Sequence, residues 1–506
     1  LKRATTHSYN VAIGNNAMIY NASSNNVAIG AEALEGSDGN SDSGGDNVAV
    51  GFRALEAKTT GWGNNALGSS ALNDVTTGNS NNGIGYQAGA ALTTGSNNNF
   101  FGSYAGKTTT TADYNVAIGQ EALEANETGT QNVAIGFRAL EDNTASYNTA
   151  VGTSALFDNT TGSQNTAVGL SALYVNTTGS NNVAVGLQAL DANTTADNNT
   201  AVGKSSLGAN TTGTANVAVG SEALDANSTA SYNTAVGRSA LGANSTGSMN
   251  TAVGSNSLDD NTTGTENSAL GVNALGANTT GDYNTGIGYL ALTANTTGTR
   301  NSAFGTASLD ANTTGNYNVA LGSYTLSSNT TASNNVAVGE NSLYDNTTGA
   351  SNVAVGFAAL ADNTTAAYNT AVGTEALKTN TIGQYNTAVG YQSLELNTEG
   401  SSNSAFGVNA AYANTTASNN TAIGYDALTA NTTGTASTAV GSHTLDANTT
   451  GPYNVGVGYV ALGANTTGGN NVAIGRGALD ASTTASYNVA VGDNALGGTT
   501  TGGSNV

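Results

Sequence analysis

Catalysis needs side chains that converge, and the groups that most often supply it are sparse in this sequence. The two histidines, His7 and His443, are 436 positions apart (443 − 7), and Cys is absent. No Cys-His pair exists, and the imidazoles read as two separate, solvated groups rather than parts of one triad. Acidic residues outnumber basic ones by 33 to 11, a formal charge of −22. That balance excludes the basic footprint nucleic acid or an anionic membrane requires. The carboxylates recur singly, as in Glu56, Asp191, Asp225, Asp310, Asp446 and Asp480, whereas calcium needs about six to eight convergent oxygens. Asn159-Thr160-Thr161 and its many counterparts match an N-glycosylation acceptor, but a repeat that uses Asn and Thr in a turn produces that match by itself. Gly44-Gly45 lacks the strand, Lys and helix of a phosphate loop. No catalytic, cofactor-binding or metal-binding residue is therefore expected, and the chain reads as a non-enzyme. Tyrosine remains. Tyr232, Tyr283 and Tyr317 each precede an Asn, where a partly exposed ring can stack on a sugar or cover an apolar corner or seam.

These residues sit on a repeat. Asn165-Thr166-Ala167-Val168-Gly169 returns as Asn182-Val183-Ala184-Val185-Gly186 and as Asn199-Thr200-Ala201-Val202-Gly203, with marker glycines 17 apart. The period holds from Gly152 to Gly492, and the earlier glycines bring the total to 29 copies. Residues 1–9 form an N-terminal flank and 10–504 a continuous array. The coils are irregular over 10–151, with an insertion at Gly36–Gly45, and regular from 148; 505–506 begin a further, incomplete coil. A surface loop would absorb the insertion at little cost. The incomplete coil suggests a piece of a longer chain or a subunit whose ends join others.

Counted from its Asn, the unit is N-[TVS]-A-[VI]-G-x-x-[AS]-L-x-x-N-T-T-[GA]-x-x. Seventeen residues cannot hold two helices, and β-branched positions bounded by Gly and Asn-Thr-Thr predict short strands joined by tight turns. The fold class is all-β, a parallel β-solenoid of about 29 coils with two short strands per coil. At about 4.8 Å per strand it would form a rod of roughly 140 Å. No apolar run approaches the roughly 18 residues of a spanning helix, so no membrane insertion is expected.

The strand period of two assigns faces. The fourth and ninth positions, Val168, Leu173, Val185, Leu190, Val202 and Leu207, are expected to form the dry interior. Phe101 with Gly106 and Phe406 with Ala411 suggest a size exchange between these columns, though Phe304 with Leu309 departs from it. The third position, as in Ala167, Ala184 and Ala201, then faces away. Its uniform smallness suggests an interchain seam; a tight corner or a second side of the core is the other reading. Asn165, Asn182 and Asn199 at the first position, and Asn176 and Asn193 at the twelfth, are expected to form amide ladders.

The core Asn-[Thr/Val]-Ala-[Val/Ile]-Gly-x-x-Ala resembles the head repeat of YadA-type trimeric adhesins. The longer pattern Asn-Thr-Ala-Val-Gly-x-x-Ala-Leu-x-x-Asn-Thr-Thr-Gly is similar to arrays in phage tail-fibre-like and bacterial surface proteins. Nearly the whole chain is covered, although its coils are longer than those of the adhesin heads. The resemblance implies a left-handed β-roll (YadA-like head) and a homotrimer with three chains side by side. It implies an extracellular, structural shaft, on a bacterial surface or a virion tail, that spaces an attachment tip from its base and serves cell adhesion. A host-surface glycan or receptor would be the partner. The alternatives are an ice- or glycan-binding surface, with Asn193 and Thr195 in one rank, and an end-to-end extracellular filament.

Overall fold

The computed structural model describes residues 8–20, 23–36 and 43–506. It contains 29 three-residue strands, one per repeat, from Val11–Ile13 to Val489–Val491. The chain divides into two compact units at Asn250/Thr251. Within each unit every strand pairs in parallel with the next one in sequence, in the register Thr166↔Val183 and Thr285↔Ser302. The chain is thus a parallel β-solenoid, as its period requires. The coils that flank the insertion keep this register, Val27 facing Val48; residues 37–42 of the insertion and His7 lie outside the described residues.

Each coil has one strand rather than the two expected. The strand ends at the marker glycine. Gly169 has φ 137°, and a Cβ there would overlap the carbonyl of Gly186 in the following coil, so both backbone and space exclude a side chain. Ser171 and Leu173 then take left-handed conformations, both at φ 54°, which curl the chain out of an extended path. The backbone of this curled half still bonds along the axis: Leu173 N–H donates to Ala189 O at 2.9 Å and Thr177 N–H to Thr194 O at 2.9 Å. Coils therefore stack through turns as well as strands, which satisfies amides that a tight turn would otherwise bury unpaired.

The two faces of the strand are reversed from the expectation. Ala167, Ala184 and Ala201 are fully buried inside their own chain and cannot form an interchain seam. Val168, Val185 and Val202 point outward and are half-buried, so they are not the interior. Leu173, Leu190 and Leu207 are fully buried, as expected. A strand period fixes which residues share a face but not which face is inside; the narrowness of the coil decides that. Gly286 occupies the third position in its coil, and a Cβ there would lie 3.2 Å from Cγ of Leu275 in the preceding coil. The leucine crosses the whole interior, and only a methyl group fits opposite it. Each buried leucine contributes about 1.5–3 kcal/mol.

This also relocates the size exchange. Phe100, not Phe101, is fully buried. Its ring fills the space over both Gly89 and Gly106, where an added Cβ would meet ring carbons. Phe304 and Phe406 point outward and are exposed, so Leu309 and Ala411 have no size relation to them.

Two asparagine columns complete the interior, and all five predicted ladder residues belong to them. At the first position Asn182 N–H donates to Asn165 Oδ1, and Asn199 N–H to Asn182 Oδ1, both at 2.9 Å. Asn165 Nδ2 reaches Gly179 O at 2.8 Å. Where Ser437 replaces Asn, its hydroxyl accepts from Asn454 N–H at 3.2 Å, so the chain of bonds continues. At the twelfth position Asn176 Nδ2 donates to Asn159 Oδ1 at 2.7 Å and Asn193 Nδ2 to Asn176 Oδ1 at 2.8 Å. Each amide thus donates to one coil and accepts from another, the condition under which a buried polar column stabilises a core.

Candidate interaction surfaces

Outward from this interior the coil presents four repeated features, each set by a position in the repeat. The second and fourth positions of the strand form the first. Ile118, Ile135, Leu270, Leu321, Phe406 and Ile423 are all exposed at the fourth position, with Val or Thr half-buried beside them at the second in most coils. Strands pair in register, Ile118 beside Ile135, Phe304 beside Leu321 and Phe406 beside Ile423, so these side chains make a continuous apolar column within each unit. The alternative ice-binding rank does not form: Asn193 is buried whereas Thr195 is exposed.

Tyrosines before the ladder Asn make the second feature. Tyr232, Tyr283 and Tyr317 are 62%, 47% and 51% exposed, so the rings do not close an apolar corner. In the second unit Tyr283 and Tyr317 are joined by Arg300 of the intervening coil, whose guanidinium lies 5.2 and 5.5 Å from the two ring centroids and donates to Tyr317 Oη at 2.7 Å. Tyr232 lies in the first unit. Tyr368 and Tyr385, in adjacent coils, stack with centroids 5.2 Å apart and planes 1° apart. Reading the column as Tyr283-Arg300-Tyr317 at steps of 17 would have revealed the cation–π stack in the sequence.

Carboxylates at the seventh and tenth positions make the third. Most stand singly, as expected, but two places were missed. Glu32, Glu35 and Glu56 bring oxygens within 4.8 Å of one another, and Glu121, Glu124 and Glu141 do the same. Each group combines Glu-x-x-Glu in one coil with Arg-x-x-Glu in the next. Arg53 Nε lies 2.7 Å from Glu32, and Arg138 Nε 3.0 Å from Glu121 and 2.6 Å from Glu141. In each group two of the three carboxylates are thus paired with a guanidinium. Burial, then neighbouring carboxylates, raises the Glu35 carboxyl, and burial raises that of Glu141 against the pull of Arg138.

The fourth is aromatic. His443 stands edge-on to Tyr425 at 5.3 Å and to Tyr459 at 6.3 Å, with Nδ1 3.4 Å from Asp446. Rings in three successive coils thus meet at one turn, the tyrosines from the sixth position of the repeat and the histidine from the seventh. Compared with known proteins, the chain matches no family model and no curated protein.

Proposed function

We propose that this chain is a structural, adhesive shaft of a homotrimeric extracellular fibre, of the phage tail-fibre or bacterial surface-adhesin type, that holds an attachment tip away from its base and performs no catalysis. The observation that carries this reading is the apolar column at the fourth position of the repeat, flanked at the second position by Val in some coils and by Thr, Ser or Asn in the others. Monomeric proteins rarely leave contiguous apolar surface of more than a few hundred Å². A copy of the same chain has the same axial spacing and would match this column coil for coil, a fit that an unrelated globular partner lacks. The seam is thereby assigned to Val168, Val185 and Val202 and their counterparts in place of the alanines. A solenoid coil depends only on its neighbours, which suits a spacer of arbitrary length, and the acidic turns keep finished fibres apart. The partner at the attachment point is read as a surface glycan or receptor.

Sedimentation or light scattering of the folded protein tests the assembly. The expected mass is three times that of the chain. A stable monomer would reject the seam, and an open-ended distribution of masses would favour a filament.

A further inference from the structure

In the second unit a depression of about 570 Å³ is cut into the turns of four successive coils, within the range of about 300–1,000 Å³ typical of ligand clefts. Its floor is Ala358 and Ala361, both buried, in the coil that starts at Asn352. The same two positions are Asn341 and Tyr344 in the coil before, and Glu375 and Lys378 in the coil after. Two short side chains between longer neighbours leave a notch. Tyr324, Tyr344 and Phe357 stand around it with 39–48% of their surface exposed. Polar groups complete the lining: the Glu340 carboxylate, the Asn341 amide and the Lys378 ammonium. The ammonium is fixed, since Lys378 Nζ donates to Glu375 Oε1 at 2.8 Å, and Glu375 Oε2 accepts from Gln392 Nε2 at 2.9 Å.

We propose that this notch is a carbohydrate-binding cleft that takes a short, neutral saccharide. Exposed aromatic faces at the edge of a notch suit the C–H face of a pyranose ring, which combines apolar carbon with a polar rim. Carboxylate, amide and ammonium groups within one cleft answer hydroxyls as both acceptors and donors. The saccharide is neutral because the only cation in the lining is already paired with Glu375, whereas Glu340 adds negative charge on a chain of net charge −22. The notch does not suit a second copy of the chain. A copy repeats every coil and needs a groove that also repeats, but Tyr344 and Lys378 close this one on either side. The cleft lies in the turns rather than in the outward strand column, so it stands whether or not the shaft reading does.

The test is affinity electrophoresis of the full chain in native gels that contain dextran, starch, mannan or xyloglucan, with alginate as the acidic control. Phe357→Ala removes a wall. Ala361→Asp fills the floor with the residue that Asp310 and Asp446 supply at the same position of other coils, so the coil tolerates it. Tyr232→Ala removes an exposed ring elsewhere. The expected result is retardation by at least one neutral polysaccharide, weakened about tenfold or more by each cleft variant, a loss of about 1.4 kcal/mol, and unchanged by Tyr232→Ala. Three outcomes overturn the proposal: no retardation by any neutral polysaccharide, equal retardation of both cleft variants and the parent chain, or a fall in sedimentation mass for Ala361→Asp, which would make the notch a contact between copies.

Discussion

Within the first unit the twelfth position of the coil reads Lys58, Val75, Leu92 and Thr109 over four consecutive coils, and from Asn126 to Asn244 it reads Asn without exception. All of these residues are fully buried. One stretch fills the corner of the coil mainly with hydrocarbon, the other with a column of amides, and the strands beside both keep the same register. The cross-section is therefore a volume that accepts either chemistry. The two solutions fail differently. Hydrocarbon tolerates exchange of volume between coils, as Phe100 shows by occupying the space above Gly89 and Gly106. An amide column tolerates an isolated exception only where the substitute still serves both neighbours, as the Ser437 hydroxyl and backbone do in the first-position column.

The largest effect is expected in the hydrocarbon stretch. Phe100→Ala empties a site enclosed by two glycines that cannot fill it, and should cost about 3–5 kcal/mol. The comparison sharpens if Gly106→Leu is added, because alanine at the third position opposite leucine at the ninth is the ordinary coil. The backbone is ready for it: φ is 57° at Gly106 and 55° at Leu123. The double variant should recover much of the loss, measured by denaturation and by hydrogen exchange of the Gly106 amide, which donates to Ala122 O at 2.9 Å. A double variant no more stable than Phe100→Ala would show that the coils do not exchange volume.

In the amide stretch Asn193→Leu keeps the branched shape but removes donors to Asn176 Oδ1 and Ala196 O and the acceptor of Asn210 Nδ2. Ala196 O still accepts from Asn182 Nδ2 and Asn210 Nδ2 still donates to Gly213 O, so Asn176 Oδ1 is the group left stranded, and a loss of about 1–3 kcal/mol is expected. Substituting Asn176, Asn193 and Asn210 together should cost less than three times as much, because neighbours lost together strand fewer groups. The column also ends visibly: Asn465 Oδ1 and the Ser482 hydroxyl are buried without a hydrogen-bond partner. Ser482→Asn would supply the missing donor and should stabilise the second unit by about 0.5–1.5 kcal/mol. Thermal melts of the three variants rank them directly, and a destabilising Ser482→Asn would break the account.

The period, the parallel stacking and the amide ladders were legible because each is a property of one position read down the chain. Which strand face is interior was not, since Ala and Val alternate equally well with either parity, and only the reach of Leu275 toward Gly286 decides it. Contacts between different positions of adjacent coils were equally hidden. The Arg53 and Arg138 clusters and the notch at Ala358 and Ala361 come from reading two columns across neighbouring coils.

A smaller, pH-dependent effect separates half-buried carboxylates raised by desolvation from those paired with a Lys or Arg. Burial raises the Asp191 and Asp225 carboxyls, which flank the empty position at Gly208, and it raises Asp446 despite His443. A side-chain hydrogen bond from Lys378 lowers Glu375, and one from Arg476 lowers Asp493. A carboxyl raised in the folded state binds more protons folded than unfolded, so stability grows as pH falls from neutral through its folded pKa and stops growing near the unfolded value of about 4. The lowered pair acts oppositely, losing stability as pH falls through their folded values. Raised groups outnumber lowered ones, so the melting temperature should climb as pH falls from 7 towards the unfolded carboxylate value of about 4 and decline only in stronger acid. Asp191→Asn should raise the melting temperature at pH 7 and flatten that climb; an unchanged profile would mean that the ridge is solvated after all.

The smallest effect on the chain itself is expected on the outer face. Val151, Val168 and Val185 are half-buried and point away from the leucines, so replacing all three with serine removes little interior packing and should change the stability of an isolated chain by no more than about 0.5 kcal/mol per site. The same substitutions interrupt the apolar column over three coils. If copies pack along that column, the variant should dissociate at a higher concentration than the parent in sedimentation experiments while its circular dichroism stays the same. Unchanged mass would move the seam away from the valines. A loss of several kcal/mol without any change in assembly would mean that the valines are interior, and that would undo the assignment of faces on which the shaft reading depends.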